Sequence, residues 1–486
     1  MTSALEKIDI KRILFLLLGL GLFFIVYYSP AWPDAIDPEG KHFVLSREGK
    51  GALAVFLMAS TWWIFEVVPI GVTGIMIGVM QTLFLIRSAN DAFKDFMDPS
   101  VLFILASIVI GMVFTRTGLT RRMAYKMLAI VGEKTSMIML GCFVVTGALT
   151  LIMAHTAVAA TIYPLLLSIH AFYDDSDKPT KFGKALFIGM AYVAGAGSII
   201  TLLGAARGAV AIGFYKSICN KDIGFFELSY FMLPVGVLMI ALLWVFFMIV
   251  LKPEKKTIPG LREKAKKLSE GLGPLTRNEI VASVIIFSCI LTLALRSFIP
   301  FLRPIDKTAI ILVSTILFFI TNILTIEDLE EIPWNIILLF AGAMSIGFCL
   351  WKTEAANWLA VNWLVMFQNA PAFVFIMSIA FFVMLMTNFI MNVAAIAISL
   401  PVALVIAPYL GVAPDVILYA SLVTAGMPFL LLIGAAPNAI AYNSKMFTTG
   451  EFLKYGIPAS IMLMLVVAFA VSVLWPLMGM PVYIVK

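Results

Sequence analysis

The sequence predicts an all-α polytopic membrane protein, on three observations. Hydrophobic residues make up 62% of the chain and charged ones only 13%, about half the charged share of ordinary soluble domains. Nine apolar runs come close to the ~20 residues that cross a bilayer as a helix. The chain also repeats itself in two halves, with interrupted apolar regions at matching places.

The runs fall in order along the chain. The first, at 13–30, follows Lys7, Lys11 and Arg12, and no cleavage pattern follows it, so it reads as a retained span. Runs at about 50–66, 67–87 and 99–116 come next, the last followed by Arg121, Arg122 and Lys126. After the run at 228–251 stands the most basic segment, "KPEKKTIPGLREKAKKLSEGLGPLTRNE", Lys252–Glu279. Runs at 279–299, 307–325, 334–351 and 455–477 complete the set. Basic loops stay on the cytoplasmic side, which places the N-terminus inside and makes a plasma membrane (the inner membrane of a bacterium) the expected location. The basic segment divides the chain into an N-terminal half, 1–251, a cytoplasmic linker, 252–278, and a C-terminal half, 279–486. Most of the linker and the acidic run "TIEDLEEIP" read as solvated loop.

Four apolar regions have small or polar residues, or a proline, at their middles: 136–170 and 184–218 in one half, 371–410 and 414–446 in the other. Unwound backbone survives at membrane depth only where protein or a water-filled cavity satisfies it. Such interruptions are expected of re-entrant hairpins and broken helices.

The halves answer each other. "FILASIVIGMVFTRTG" (Phe103–Gly118) is answered by "LLFAGAMSIGFCLWKTE" (Leu338–Glu354). "LIMAHTAVAATIYPLLL" is answered by "FIMNVAAIAISLPVALV", with Pro164 and Pro401 in matching places. "LLGAARGAV" (Leu202–Val210) is answered by "LLIGAAPNAI" (Leu431–Ile440). Paired interruptions in two halves point to a substrate site near the bilayer midplane.

Two ionisable residues sit inside the interruptions. His155, in "AHT", is of the type whose charge changes near neutral pH. Arg207 cannot deprotonate and costs roughly 2.5–3.5 kcal/mol at the centre of a spanning helix, so it needs an anion, a cluster of carbonyls or water. Few acidic residues lie at similar depth, and Glu66 sits at a turn. Asn392 matches His155, and Asn438 matches Gly208. Thr387, Asn388 and Asn392 offer oxygen and amide groups that coordinate a hard cation, donate to a carboxylate or tie helices together.

Other classes of function are poorly supplied. Cys142, Cys219, Cys289 and Cys349 lie far apart in apolar runs, without metal or redox spacing. The net charge of +6 comes from short loops, so no nucleic-acid face is expected. No acid–base pair, nucleophile–base pair or metal cluster stands at suggestive spacing, so an enzyme is not expected. A carrier, a passive anion channel and a membrane sensor stay open, and saturable counterflow separates a carrier from a channel.

On these motifs the chain resembles the divalent anion:sodium symporter (DASS) family, which carries dicarboxylates, citrate or sulfate. The resemblance covers nearly the whole chain, including the basic central loop and the order hairpin, broken helix, hairpin, broken helix. It implies a homodimer of protomers with about 11 spans and two re-entrant hairpins, arranged as inverted repeats. Each protomer would have a scaffold domain and a transport domain that moves elevator-fashion. Family hairpin tips carry Ser-Asn-Thr, and here they read Ala154-His155-Thr156 and Met391-Asn392-Val393. Family loops resemble Gly-Thr/Ser-Pro-Pro-Asn, and here they read Gly204-Ala205-Ala206-Arg207-Gly208 and Gly434-Ala435-Ala436-Pro437-Asn438. The resemblance implies that His155, Thr156, Arg207, Asn392, Val393, Ala436, Pro437 and Asn438 bind a small anionic substrate. It implies a weak sodium site at Thr387, Asn392 and Gly434, and a degenerate one at Thr150, Ala154, His155 and Gly204. Sodium is the one candidate ion, and no organic cofactor is expected.

A cation beside Arg207 is electrostatically unfavourable, so the arginine replaces the charge that one sodium would bring. The expected function is a carrier of small, dicarboxylate-like dianions that works by exchange. Sodium- or proton-coupled symport of a carboxylate, sulfate or sulfonate, or a channel on the same fold, is the alternative.

Overall fold

The computed structural model describes residues 10–36, 41–174, 178–367 and 371–484, without the side chains of 10 and 363–367. Lys7, in the first basic group, lies outside them. Apolar helices account for almost all of the fold, because each buried backbone N–H and C=O must find its partner within the segment.

The N-terminal half holds α1 (Ile10–Tyr28), α2 (Arg47–Ile64), α3 (Ile70–Leu83), α4 (Ala89–Lys94), α5 (Pro99–Thr117) and α6 (Leu119–Val131). It continues with α7 (Thr135–Leu149), α8 (His155–Tyr173), α9 (Lys181–Gly197), α10 (Ala206–Cys219) and α11 (Phe225–Val250). After the linker helix α12 (Leu261–Gly271), the second half holds α13 (Arg277–Leu295), α14 (Lys307–Ile320), α15 (Ile326–Glu330), α16 (Trp334–Lys352) and α17 (Ala355–Phe367). Then follow α18 (Ala372–Phe389), α19 (Asn392–Ile406), α20 (Pro414–Ala425), α21 (Ala436–Tyr442), α22 (Thr449–Phe469) and, past a π-turn, α23 (Trp475–Leu477). The helices α2 to α11 correspond one for one to α13 to α22. The short α4 answers α15, and α3 and α14 are both 14 residues long. A two-residue antiparallel ribbon, Ala35–Ile36 with His42–Phe43, lies between α1 and α2.

Packing follows the same exchange. The α3 helix packs on α16 while α14 packs on α5, and α10 packs on α19 while α21 packs on α8. Close approach needs glycine: a Cβ on Gly74 would lie 2.2 Å from the Leu338 carbonyl oxygen. The central α16 and α19 are mostly buried, whereas α1, α11 and α13 turn residues such as Ile25, Ile249 and Phe287 outward. Apolar area on that scale is stable against lipid, not water.

Among the described residues, nine helices are long and apolar enough to cross a membrane by length and composition. The runs at 67–87 and 307–325 prove shorter as helices, because α3 ends before Leu85 (φ +52°) and α14 before Asn322 (φ +56°). Left-handed backbone cannot continue a right-handed helix.

The two solvated-loop expectations hold for most side chains, which are exposed, but each segment carries a short docked helix. The linker folds back as α12 on α6, fixed by the Arg122 guanidinium. That group donates to both Glu279 oxygens (2.8 and 3.0 Å) and to the Gly273 carbonyl (2.8 Å). In the acidic run, Asp328 is buried, caps α15 at the Thr325 N–H (2.7 Å) and pairs with Arg116. Acidic residues were drawn out of water by an orphan helix N-terminus and a cation from the other half.

Candidate functional site

The four interrupted regions converge. The α7–α8 pair ends in a tip at Ala154, and the α18–α19 pair in a tip at Met391. Between α9 and α10, and between α20 and α21, the chain runs unwound through Ala205 (φ −163°) and Ala435 (φ −154°). His155 and Asn392 open α8 and α19, while Ala206 and Ala436 open α10 and α21.

Each tip presses into the adjoining loop at a glycine. A Cβ on Gly204 would lie 2.6 Å from the Thr150 carbonyl oxygen, and one on Gly434 would lie 2.8 Å from that of Thr387. The sets Thr150, His155, Gly204 and Thr387, Asn392, Gly434 are thus each brought together, although the Thr150 hydroxyl donates within its own helix to the Gly147 carbonyl (2.6 Å). In the first half the Gly204 carbonyl accepts from the His155 backbone N–H (2.9 Å), and the His155 Nδ1 lies 3.2 Å from it. The Thr201 hydroxyl donates to the Leu151 carbonyl at 2.8 Å, tying loop to tip.

In the second half Thr387 gives its one hydroxyl proton to the Ala425 carbonyl at 2.9 Å. Asn392 must therefore act as donor toward Thr387. With its amide oriented so, Nδ2 donates to the Gly434 carbonyl (2.8 Å) and to Thr387 Oγ1 (3.1 Å), and Oδ1 accepts from Arg207 Nη1 (3.2 Å). Asn388 receives the Leu430 N–H at 2.8 Å, and Asn438 donates to the Pro428 (2.8 Å) and Leu431 (3.1 Å) carbonyls.

Arg207 is 2% exposed. Its Nη2 donates to Ser198 Oγ at 2.8 Å, and Ser198 passes its own proton to the Gly195 carbonyl at 2.7 Å. From α10 the guanidinium reaches the other half, where Gly426 leaves it room: a Cβ there would lie 2.7 Å from Nη2. No carboxylate among the described residues forms an ion pair with it. Ser198 and Gly426 were not singled out from the sequence. The available signal for Ser198 was a hydroxyl in the unwound loop that leads into the arginine's helix.

A cavity of 1210 Å³ opens at the tips and loops. His155, Thr156, Arg207, Asn392, Val393 and Ala436 line it, as do Ala154 and Gly434. Thr150, Gly204, Thr387, Pro437 and Asn438 are buried behind its surface. The cavity extends past Arg116 and Asp328 to Arg121 and Tyr125 on α6 and Lys264 and Leu268 on α12, so it opens on the side of the basic linker.

Two solved structures share this architecture. MtrF of Neisseria gonorrhoeae, described as an antimetabolite efflux pump, aligns over 96% of this chain and 94% of its own, with 15% identity and a TM-score of 0.59. The YdaH transporter of Alcanivorax borkumensis aligns over 97% of this chain and 99% of its own, with 12% identity and a TM-score of 0.53. By sequence, the sodium-dependent dicarboxylate transporter SdcS of Staphylococcus saprophyticus is 24% identical over 453 residues, covering 89% of this chain and 87% of that protein. SdcS of Staphylococcus aureus is 24% identical over 456 residues, with the same coverage. Residues 32–481 match the family of sodium:sulfate symporter transmembrane regions, and by that match the chain belongs to the divalent anion:sodium symporter family and is a membrane transporter, not an enzyme.

Proposed function

We propose that this transporter is a secondary active carrier of small organic dianions that works by exchange, with Arg207 standing in for at least one sodium. The observation that carries the reading is a buried guanidinium at the cavity, reaching from one half to the other and held by neutral groups instead of a carboxylate. Its charge is left for an anion. The relatives named sodium-dependent dicarboxylate transporters support the substrate class.

The first half suits sodium poorly. Its Gly204 carbonyl already accepts a backbone N–H, and the His155 ring has no oxygen to turn toward an ion, whereas Asn392 carries an amide oxygen. Two unit charges about 5 Å apart repel by about 3 kcal/mol at an effective dielectric near 20, so Arg207 disfavours a cation in either set. In the second half, rotation of the Asn392 amide would add Oδ1 to Thr387 Oγ1 and the Gly434 carbonyl, an oxygen set for one weakly held sodium.

Charge then couples the carrier to its cargo. An empty site keeps one fixed positive charge and resists crossing an apolar barrier. A dianion with one sodium or proton beside Arg207 makes the loaded site neutral. The moving unit in this reading is α7–α10 with α18–α21, riding elevator-fashion against the remaining helices in a homodimer. The protein would lie in a bacterial inner membrane with the N-terminus, the linker and the open cavity on the cytoplasmic side.

In proteoliposomes, Arg207→Ala should lower dicarboxylate counterflow at least tenfold. Arg207→Lys should restore little, since one ammonium does not reproduce the guanidinium's fixed fork to two halves. Normal counterflow by Arg207→Ala would remove the arginine from the mechanism.

A further inference from the structure

Resting on the dianion-carrier reading, we infer that the two poles of the site select differently, and that Val393 makes the second pole prefer dianions carrying an apolar branch. At the first pole the Thr156 hydroxyl and the His155 ring line the cavity. At the second pole the Asn392 amide is fully committed: both protons go to Gly434 and Thr387, and its oxygen accepts from Arg207. Besides the Arg207 guanidinium beside Asn392, the side chains left on the cavity there are Met391, Val393 and Ala436, and α16, packed against α19, adds Ile336 and Phe340. None of these offers a hydrogen-bonding side-chain group to the substrate beyond the weakly accepting Met391 sulfur.

Charge and shape are therefore read by different parts of the chain. The first turn of α19 presents backbone N–H groups that have no partner within the helix, and a carboxylate accepts from such groups. A substituent on the adjoining carbon, on the side turned from Arg207 toward Val393, meets only apolar side chains. A hydroxyl placed there leaves water without gaining a strong partner, which is unfavourable, whereas a methyl gains from leaving water.

The test is competition against labelled succinate counterflow by unlabelled succinate, methylsuccinate and malate, in wild-type protein and Val393→Thr. Wild-type protein should be inhibited by methylsuccinate at about tenfold lower concentration than by malate, the usual scale for one apolar group in a pocket. Val393→Thr should reverse that order. Equal inhibition by the methyl and hydroxy compounds in wild-type protein, or an order unmoved by Val393→Thr, overturns the inference while leaving the dianion reading intact. Failure of all three dianions to compete would remove the dianion reading and this inference together.

Discussion

Arg207 begins on α10 and ends against the other half, at Asn392 and beside Gly426. Its lack of a sequence-local acid was readable from the sequence, and the match of His155 with Asn392 from the repeat. Its cradle was not readable, because Ser198 lies in an unwound loop and Gly426 more than two hundred residues away, with no periodicity to join them. Gly426 has ordinary helical backbone (φ −72°), so a methyl there acts by displacing the guanidinium, with the Ile199 side chain the other close neighbour. Gly426→Ala should accordingly cut counterflow about tenfold, on the scale of losing one well-placed charged hydrogen bond. Unchanged counterflow would mean that the arginine tolerates displacement and acts without fixed position.

At the scale of elements, three sequence matches grew into ten pairs of helices. The tips and loops were legible because each needs particular residues: glycine at Gly204 and Gly434, a break at Ala154 and Met391. The pairing of α2–α4 with α13–α15 was hidden because lipid-facing and packed positions accept many apolar residues of similar volume. One further match surfaced only with the structure: "FELSYFMLP" on α11 and "GEFLKYGIP" on α22 share Glu227 with Glu451 and Pro234 with Pro458. The two glutamates close their helix starts alike, accepting from the Gly224 and Thr448 N–H groups. Docking of the linker was missed because a charged helix reads as solvated until its partner is known. Arg122→Leu leaves Glu279 without its cation and should lower the melting temperature in detergent. The double variant Arg122→Leu, Glu279→Leu should recover much of that loss. A single variant as stable as wild type would mean that the ion pair does not hold the linker.

For the whole molecule, two matching halves with exchanged packing build one site from two copies of the same parts, and the copies have diverged in charge. One keeps Asn392 and Thr387, the other has His155 and a fixed cation. Equal copies would favour equal ions, whereas in the proposed exchange a permanent charge ties movement to the presence of an anion. The direct measurement compares labelled dicarboxylate uptake into proteoliposomes preloaded with unlabelled dicarboxylate and into empty ones under an inward sodium gradient. Exchange predicts rapid, saturable uptake into preloaded vesicles and little into empty ones. Concentrative uptake into empty vesicles, driven by the sodium gradient, would contradict it.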